Sequence, residues 1–322
     1  MSSRSPVAAA SVAATLPQRR RPLGRRLRSA SVPYGLLLPA SVVIAAVLAY
    51  PLYYLVRLSF QHYGLFQLVR HKGEAIGTAN YAAIFHDSVF WHTLLRTVVF
   101  TVVNVGLTIV LGTMLALLLV RVSTWVRLLL TAGLVLVWAM PPVVGVQVWS
   151  WITNSDNGVL NYVLGQLHIG NFFQHDWYAS PFWQLTMVTT LIVWEALPFV
   201  AITLYAALSQ VPHELVEAAE IDGARSWRIF RDVTLPVLKP VLLILTSLSI
   251  LWDFGVFTQV YLLIGPGHLT PANYLMGIYV FEKGYASTDF GLGAAISILM
   301  LVAVAAMSVV YVRRMLKVGE AQ

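Results

Sequence analysis

The sequence predicts an all-α integral membrane protein with six transmembrane helices, and three observations carry that prediction. Hydrophobic residues fill 58% of the 322 positions and charged residues only 11%, with a mean hydropathy of +0.74; an ordinary soluble domain carries about 25% charged residues. Six apolar runs are each long enough to cross a bilayer, for which about 20 residues suffice. Lysine and arginine are divided unequally between the segments joining those runs, which gives the spans an orientation. The chain has no cysteine, so disulfide staples, thiolate metal sites and thiol catalysis are excluded and stability must come from helices packing in lipid.

Residues 1–33 are rich in Ser, Ala, Pro and Arg, with Arg19, Arg20, Arg21, Arg25, Arg26 and Arg28 clustered and no apolar periodicity. Such a composition reads as a disordered basic tail. A secretory signal also begins with a basic stretch, but the run Tyr34–Val56 exceeds a signal's apolar region and reads as a first span that stays. Further apolar runs lie near 93–120, 128–152, 183–208, 240–264 and 290–312. The six spans thus occupy residues 34–315, followed by a C-terminal tail, 316–322. Pro141 and Pro142 in the third span and Pro198 in the fourth interrupt helix hydrogen bonding and predict kinks or hinges.

Six spans place both termini on one face, together with the segments 121–127 and 209–239. Sixteen lysines and arginines fall on that face, seven of them in the N-terminal tail, against five on the other: Arg57, Arg70, Lys72, Arg96 and Lys283. The positive-inside rule then makes both termini cytoplasmic in a multi-pass protein of the cell membrane. The formal charge of +7 would suit nucleic acid, yet most basic residues flank apolar runs and serve orientation instead. On the opposite face Trp149, Trp151, His175, Trp177, Tyr178 and Trp183 fit either an interfacial aromatic belt or a docking surface for an external protein.

The segment 209–239 differs from every other connection in being long, on the terminal face and organised. Pro212 suits a first helical position, Glu214 and Glu217 suit the positive end of a helix dipole, and Leu215, Ala218 and Ala219 share one face. Asp222-Gly223 supplies a turn. A second short helix can begin near Ser226, with Trp227, Ile229 and Phe230 as bulk, before Leu235-Pro236 and Pro240 lead back into the membrane. The small residues Ala218, Ala219, Gly223 and Ala224 allow another backbone to approach closely, while Arg225, Arg228 and Arg231 can anchor to acidic groups or lipid headgroups.

Glu217-Ala218-Ala219, then Asp222-Gly223-Ala224, Phe230 and Val233-Thr234-Leu235-Pro236 resemble the EAA loop of ABC importer permeases, most of all the sugar-uptake (MalF/UgpA-like, carbohydrate uptake transporter-1) family. Val233 stands where isoleucine is usual. The resemblance covers the six-span plan of residues 34–315 and implies the type I ABC importer permease fold, with residues 209–239 as a cytoplasmic coupling helix-turn-helix. It implies that Glu217, Ala218, Ala219, Asp222, Gly223 and Ala224 seat in a groove on a cytoplasmic ABC ATPase dimer. A second homologous permease would complete the pore, and an extracytoplasmic sugar-binding lipoprotein would present the cargo. An amphipathic hairpin lying on the membrane is the plainer alternative. None of the four lysines, Lys72, Lys239, Lys283 and Lys317, follows a glycine, so a Walker A phosphate loop is excluded. The expectation is a non-catalytic subunit without cofactors of its own, ATP and Mg being bound by the partner ATPase.

Ionisable groups inside a span cost about 2.5–3.5 kcal/mol on insertion scales, so Glu195 in the fourth span and Asp253 in the fifth call for explanation. Carboxylates beside aromatic rings suit a neutral carbohydrate, whose hydroxyls donate to the acid while its CH face covers the ring. The family resemblance places sugar contacts on these spans, here at Trp194, Glu195, Phe199, Trp252 and Asp253. The alternative is that the acids bond neighbouring helices or stay protonated. Gln259 and Tyr261 are weaker candidates, and Asn104 in the second span reads as helix glue.

A proton-coupled secondary carrier relaying through Glu195 and Asp253 is the competing transport reading, although such carriers ordinarily show internal repeats. An intramembrane enzyme is disfavoured because no HExxH motif and no Ser/His pair at matched depth is present. All eight histidines fall in loops or at span ends, so no metal site is expected. The cargo implied by the resemblance is a di- or oligosaccharide. Ile264-Gly265-Pro266-Gly267 and Asp289-Phe290-Gly291-Leu292-Gly293 are similar to actinobacterial disaccharide importers, including those for N-acetylglucosamine dimers.

Overall fold

Long apolar runs have few ways to satisfy their backbone polar groups in lipid, and helices are one of them. The computed structural model of the chain describes the backbone of residues 23–320 and the side chains of residues 37–313. The basic tail expected over 1–33 lies outside the described residues as far as position 22. From Leu23 onward the backbone is helical, and α1 runs Leu23–Ser59, so the last part of that expected tail is helix; leucine and arginine are both good helix formers. Residues up to Tyr54 form a unit of their own, in which every described side chain is exposed.

The remainder, Leu55–Gln322, forms a second unit. A two-stranded hairpin pairs β1 (Gln61–His62) with β2 (Glu74–Ala75) around α2 (Leu65–Arg70), and α3 (Ala79–His86) follows. The second span is α4 (Ser88–Arg121). Asp87 caps its start by accepting from the Val89 N–H at 2.9 Å, and the Arg127 guanidinium closes its end on the carbonyls of Leu119, Val120 and Val122. Thr93, Thr97, Thr101, Asn104 and Thr108 form a buried polar stripe on this helix. Their hydroxyl and amide groups have nowhere in lipid to go, so the stripe turns inward. Asn104 donates to the Phe100 carbonyl and to Thr189 Oγ1, as expected of interhelical glue.

The third span is two helices, α5 (Thr124–Trp138) and α6 (Pro142–Ile152), meeting at 104° across Ala139–Pro141. The consecutive prolines therefore produce a right-angle break, far beyond a kink, because neither supplies an N–H to bridge the two segments. After α7 (Val159–Gln166) comes the fourth span, α8 (Pro181–Leu208), which continues through Pro198. Gly112 of α4 lies directly against Val200, leaving no room for a Cβ and letting the two spans approach closely.

Next come α9 (His213–Ile221) and α10 (Ser226–Ile229), the latter running through a π-helical segment, Phe230–Thr234, into α11 (Leu235–Phe254). The expected second helix of the helix-turn-helix is thus continuous with the fifth span. Pro236 has no N–H for the preceding turn, and the wider π turn accommodates its ring without ending the helix. The fifth span, expected to run to 264, stops at Gly255 and resumes as α12 (Thr258–Ile264). The segment α13 (Met276–Val280), a second π-helical stretch (Phe281–Ala286) and the sixth span, α14 (Phe290–Glu320), complete the chain. The C-terminal tail expected from 316 is helical as far as Glu320. Among the described residues five helices are long and apolar enough to span a membrane, and the broken α5–α6 pair brings the number to six.

Two apolar clusters matter for function. One joins Val146 of α6, Val188, Leu191 and Ile192 of α8, and Val260, Leu263 and Ile264 of α12. Another joins Ala116 of α4, Val200, Leu204 and Leu208 of α8, and Leu238 and Leu245 of α11. Along α8 the clusters divide between Ile192 and Val200, around Pro198.

Candidate functional site

A cavity of about 440 Å³ opens at that division. Its walls come from the ends of the broken helices: Trp138 and Met140 where α5 stops, Pro142 where α6 begins, Trp252, Asp253 and Gly255 at the end of α11, and Val256 through Gln259 entering α12. From α8 it takes Ile192, Glu195, Ala196 and Phe199, the i, i+3, i+4, i+7 stripe of one helix face. Glu195, Phe199, Trp252 and Asp253, four of the five pocket residues expected from the sequence, are therefore brought together. Trp194 is placed elsewhere. One position from Glu195 is about 100° around the helix, and its ring packs edge-on against Trp149 at 6.1 Å, against the first cluster.

Rings form much of the wall. Trp138 stacks on Phe199 at 5.9 Å with 15° between the planes, and Phe199 meets Trp252 at 5.7 Å. Trp138, Phe257 and Thr258 had no sequence signal that separated them from ordinary span residues. Gln259, a weaker candidate, lines the cavity, whereas Tyr261 packs against Phe257 and Phe281.

The two acids differ in setting. Asp253 is 6% exposed, and its carboxyl group makes no hydrogen bond or ion pair among the described residues. It faces the cavity unpartnered. Glu195 is engaged: Oε2 accepts from Gln259 Nε2 at 2.8 Å, while Oε1 is buried without a partner against Gly145 of α6, where an added Cβ would displace it. Among the described residues no lysine, arginine or histidine lines the cavity. Rings and unpaired acceptors without a cation suit an uncharged ligand rich in hydroxyl or amide donors.

The second region of interest is α9 and its turn. Among the described residues α9 has none buried. Glu217, Ala218, Asp222 and Gly223 are exposed, and Ala219 and Ala224 are half-buried. Leu215 and Ile221 stand in the open at 49% and 86% exposure. The helix ends in a Schellman turn, with Ala224 N–H donating to the Ala219 carbonyl at 2.9 Å and Gly223 N–H to Glu220 at 3.0 Å. Gly223 takes a φ of +77°, where L residues are strained. Two of the three arginines expected to anchor this region, Arg228 and Arg231, instead hold Asp232 at 3.6 and 2.7 Å.

The aromatic residues of 153–182 and its flanks divide between exposed and internal positions, with Phe173 and Phe182 in the open. Trp177 is buried, stacks on Phe172 at 5.6 Å, and donates from Nε1 to Asn161 Oδ1 at 2.7 Å. Trp151 is open, at 62% exposure.

Comparison with known proteins supplies the family. The profile described as "Binding-protein-dependent transport system inner membrane component" matches residues 108–316. The chain is 40% identical over 304 residues to the diacetylchitobiose uptake system permease protein DasB of Streptomyces coelicolor, covering 92% of each chain. It is 30% identical over 303 residues to the trehalose/maltose transport system permease protein MalF of Thermococcus litoralis, covering 91% of this chain and 95% of the relative. Its fold superposes, at 17% identity and a TM-score of 0.73, on a chain of the bacterial alginate ABC transporter crystallised with alginate pentasaccharide-bound periplasmic protein, covering 90% and 96% of the two chains. With the spans, the cavity and these relatives in agreement, the chain belongs to the binding-protein-dependent inner membrane permeases, the non-catalytic membrane subunits of ABC importers, on their sugar-uptake branch.

Proposed function

We propose that this chain forms half of the translocation pore of an ATP-driven importer for a di- or oligosaccharide, with Phe199, Trp252 and Asp253 contacting the sugar in transit. The observation that carries this reading is the cavity at the helix breaks, where aromatic rings surround an unpartnered carboxyl group and no cationic side chain stands among the described residues. An extracytoplasmic binding protein delivers the cargo, as the family description implies. A second permease completes the pore, and both termini and α9 face the cytoplasm, in keeping with the distribution of lysine and arginine. The exposed α9 and its Schellman turn seat on an ATPase dimer, with Glu217 and Gly223 central, and that dimer holds the ATP and Mg. The name of the 40% identical relative supports an N-acetylglucosamine dimer as cargo.

The test is uptake by the reconstituted complex carrying Trp252→Ala or Asp253→Asn. Each is expected to raise the apparent KM for the sugar at least fivefold with assembly intact. Unaltered KM in both variants would remove the cavity from the transport path.

A further inference from the structure

Two spans lining the cavity are interrupted at its level, α5–α6 by the 104° break and α11–α12 at Gly255–Phe257, while α8 runs through that level with Pro198 inside it. The half-spans beyond the breaks, α6 and α12, share one apolar cluster with the first half of α8, while α11 and the second half of α8 belong to another. At the boundary Glu195 touches both of those half-spans. Its Oε2 accepts from Gln259, the second residue of α12, and its Oε1 presses on Gly145 in the first turn of α6. With Oε2 bonded and Oε1 sealed from solvent, the carboxyl group offers nothing to a ligand in this conformation. A Cβ at position 145 would meet Glu195 Oε1, so a larger residue there would have to displace the carboxylate.

We propose that Glu195 is a positioning residue that bolts α12 to α8 beside the cavity, with α6 packed against its free oxygen, and that it does not bind the sugar. The bolt holds Thr258 and Gln259 in the cavity wall. Asp253, whose carboxyl group is unpartnered, is left as the acid that meets the cargo. The proposal rests on the cavity reading above. It assigns one of two superficially equivalent membrane acids to architecture and the other to recognition, and it predicts different behaviour for their amide variants.

The chain has no cysteine, so a single Thr258→Cys reports solvent access to the wall by thiol labelling. In the complete complex, Glu195→Ala and Gln259→Leu are expected each to raise the labelling rate about fivefold or more. Each is expected to lower maximal uptake about tenfold, by the same factor for two different saccharides, with KM unchanged. The double variant should be no worse than either single one, because both remove one bond. Glu195→Gln, whose amide oxygen still accepts from Gln259, should restore labelling and uptake to within twofold of the parent. Should Glu195→Ala fail to assemble, Gln259→Leu and Glu195→Gln alone decide the matter. A KM effect that differs between the saccharides, or Glu195→Gln as impaired as Glu195→Ala, overturns the proposal and makes Glu195 a sugar ligand. Trp252→Ala and Asp253→Asn report separately on the cavity itself, so the two readings can fail independently.

Discussion

Replacing Gly223 tests the turn after α9 with a magnitude that follows from its backbone. At a φ of +77° an alanine bears the left-handed penalty of about 1–2 kcal/mol, whereas no atom lies within 4 Å of the Cβ it would add. Within the chain the cost is therefore conformational and not steric, and it depopulates the turn by roughly 5- to 30-fold. Asparagine tolerates this region best among the L residues, and a β-branched valine tolerates it worst. The assay is sugar-stimulated ATP hydrolysis by the reconstituted complex, read together with sugar imported per ATP. Gly223→Asn should stay within about threefold of the parent, Gly223→Ala should fall by roughly the factor above, and Gly223→Val should fall further. Unchanged coupling in the alanine and valine variants would refute the assignment of this turn to ATPase contact. Asparagine as damaging as valine would refute the conformational argument and point to crowding by a partner's surface.

Other expectations concern stability. Burial works against ionisation of Asp87, but hydrogen bonds from Tyr279, the Val89 N–H and Lys283 outweigh it and hold its pKa below the usual 3.8. The stabilisation is therefore present at neutral pH and lost as pH falls below about 4 through the lowered folded value. Asp87→Asn keeps a capping oxygen but loses the charge, so it should melt below the parent at pH 7 with the difference narrowing as pH falls below about 4; equal melting at pH 7 contradicts this. Gly293 of α14 lies against Gly284 with no space for a side chain. Gly293→Val should cost roughly 1–3 kcal/mol by overpacking, and unchanged melting would show that the two backbones can separate freely.

The spans were legible in the sequence because length and apolarity alone decide what can cross a bilayer. The break at Pro141 and Pro142 was legible as a disruption but not as a right angle, which depends on what α6 packs against. The break at Gly255 was hidden. One glycine in an apolar run is ordinary, and here the interruption accompanies Gly277, whose Cα is so close that a Cβ would sit 2.5 Å from the Val256 carbonyl. That contact joins positions distant in the chain, and no local pattern announces it. Among site residues, Glu195, Phe199, Trp252 and Asp253 stood out because acids and rings in spans are chemically conspicuous. Helical phase would have removed Trp194 and added Ile192 and Ala196, since 192, 195, 196 and 199 form one stripe. Trp138 and Thr258 reach the cavity only because two separate helices break at the same level. The different states of Glu195 and Asp253 depend on Gln259 and Gly145, which belong to other elements.

The central claim is that this subunit belongs to a pump driven by an ATPase through α9 and not to a carrier driven by protons through its two acids. Sugar uptake into proteoliposomes containing the complete complex, with ATP and a proton gradient varied independently, tests it most directly. Uptake is expected to require ATP and the loaded binding protein and to persist when an ionophore collapses the gradient. Accumulation driven by the gradient without ATP would contradict the account.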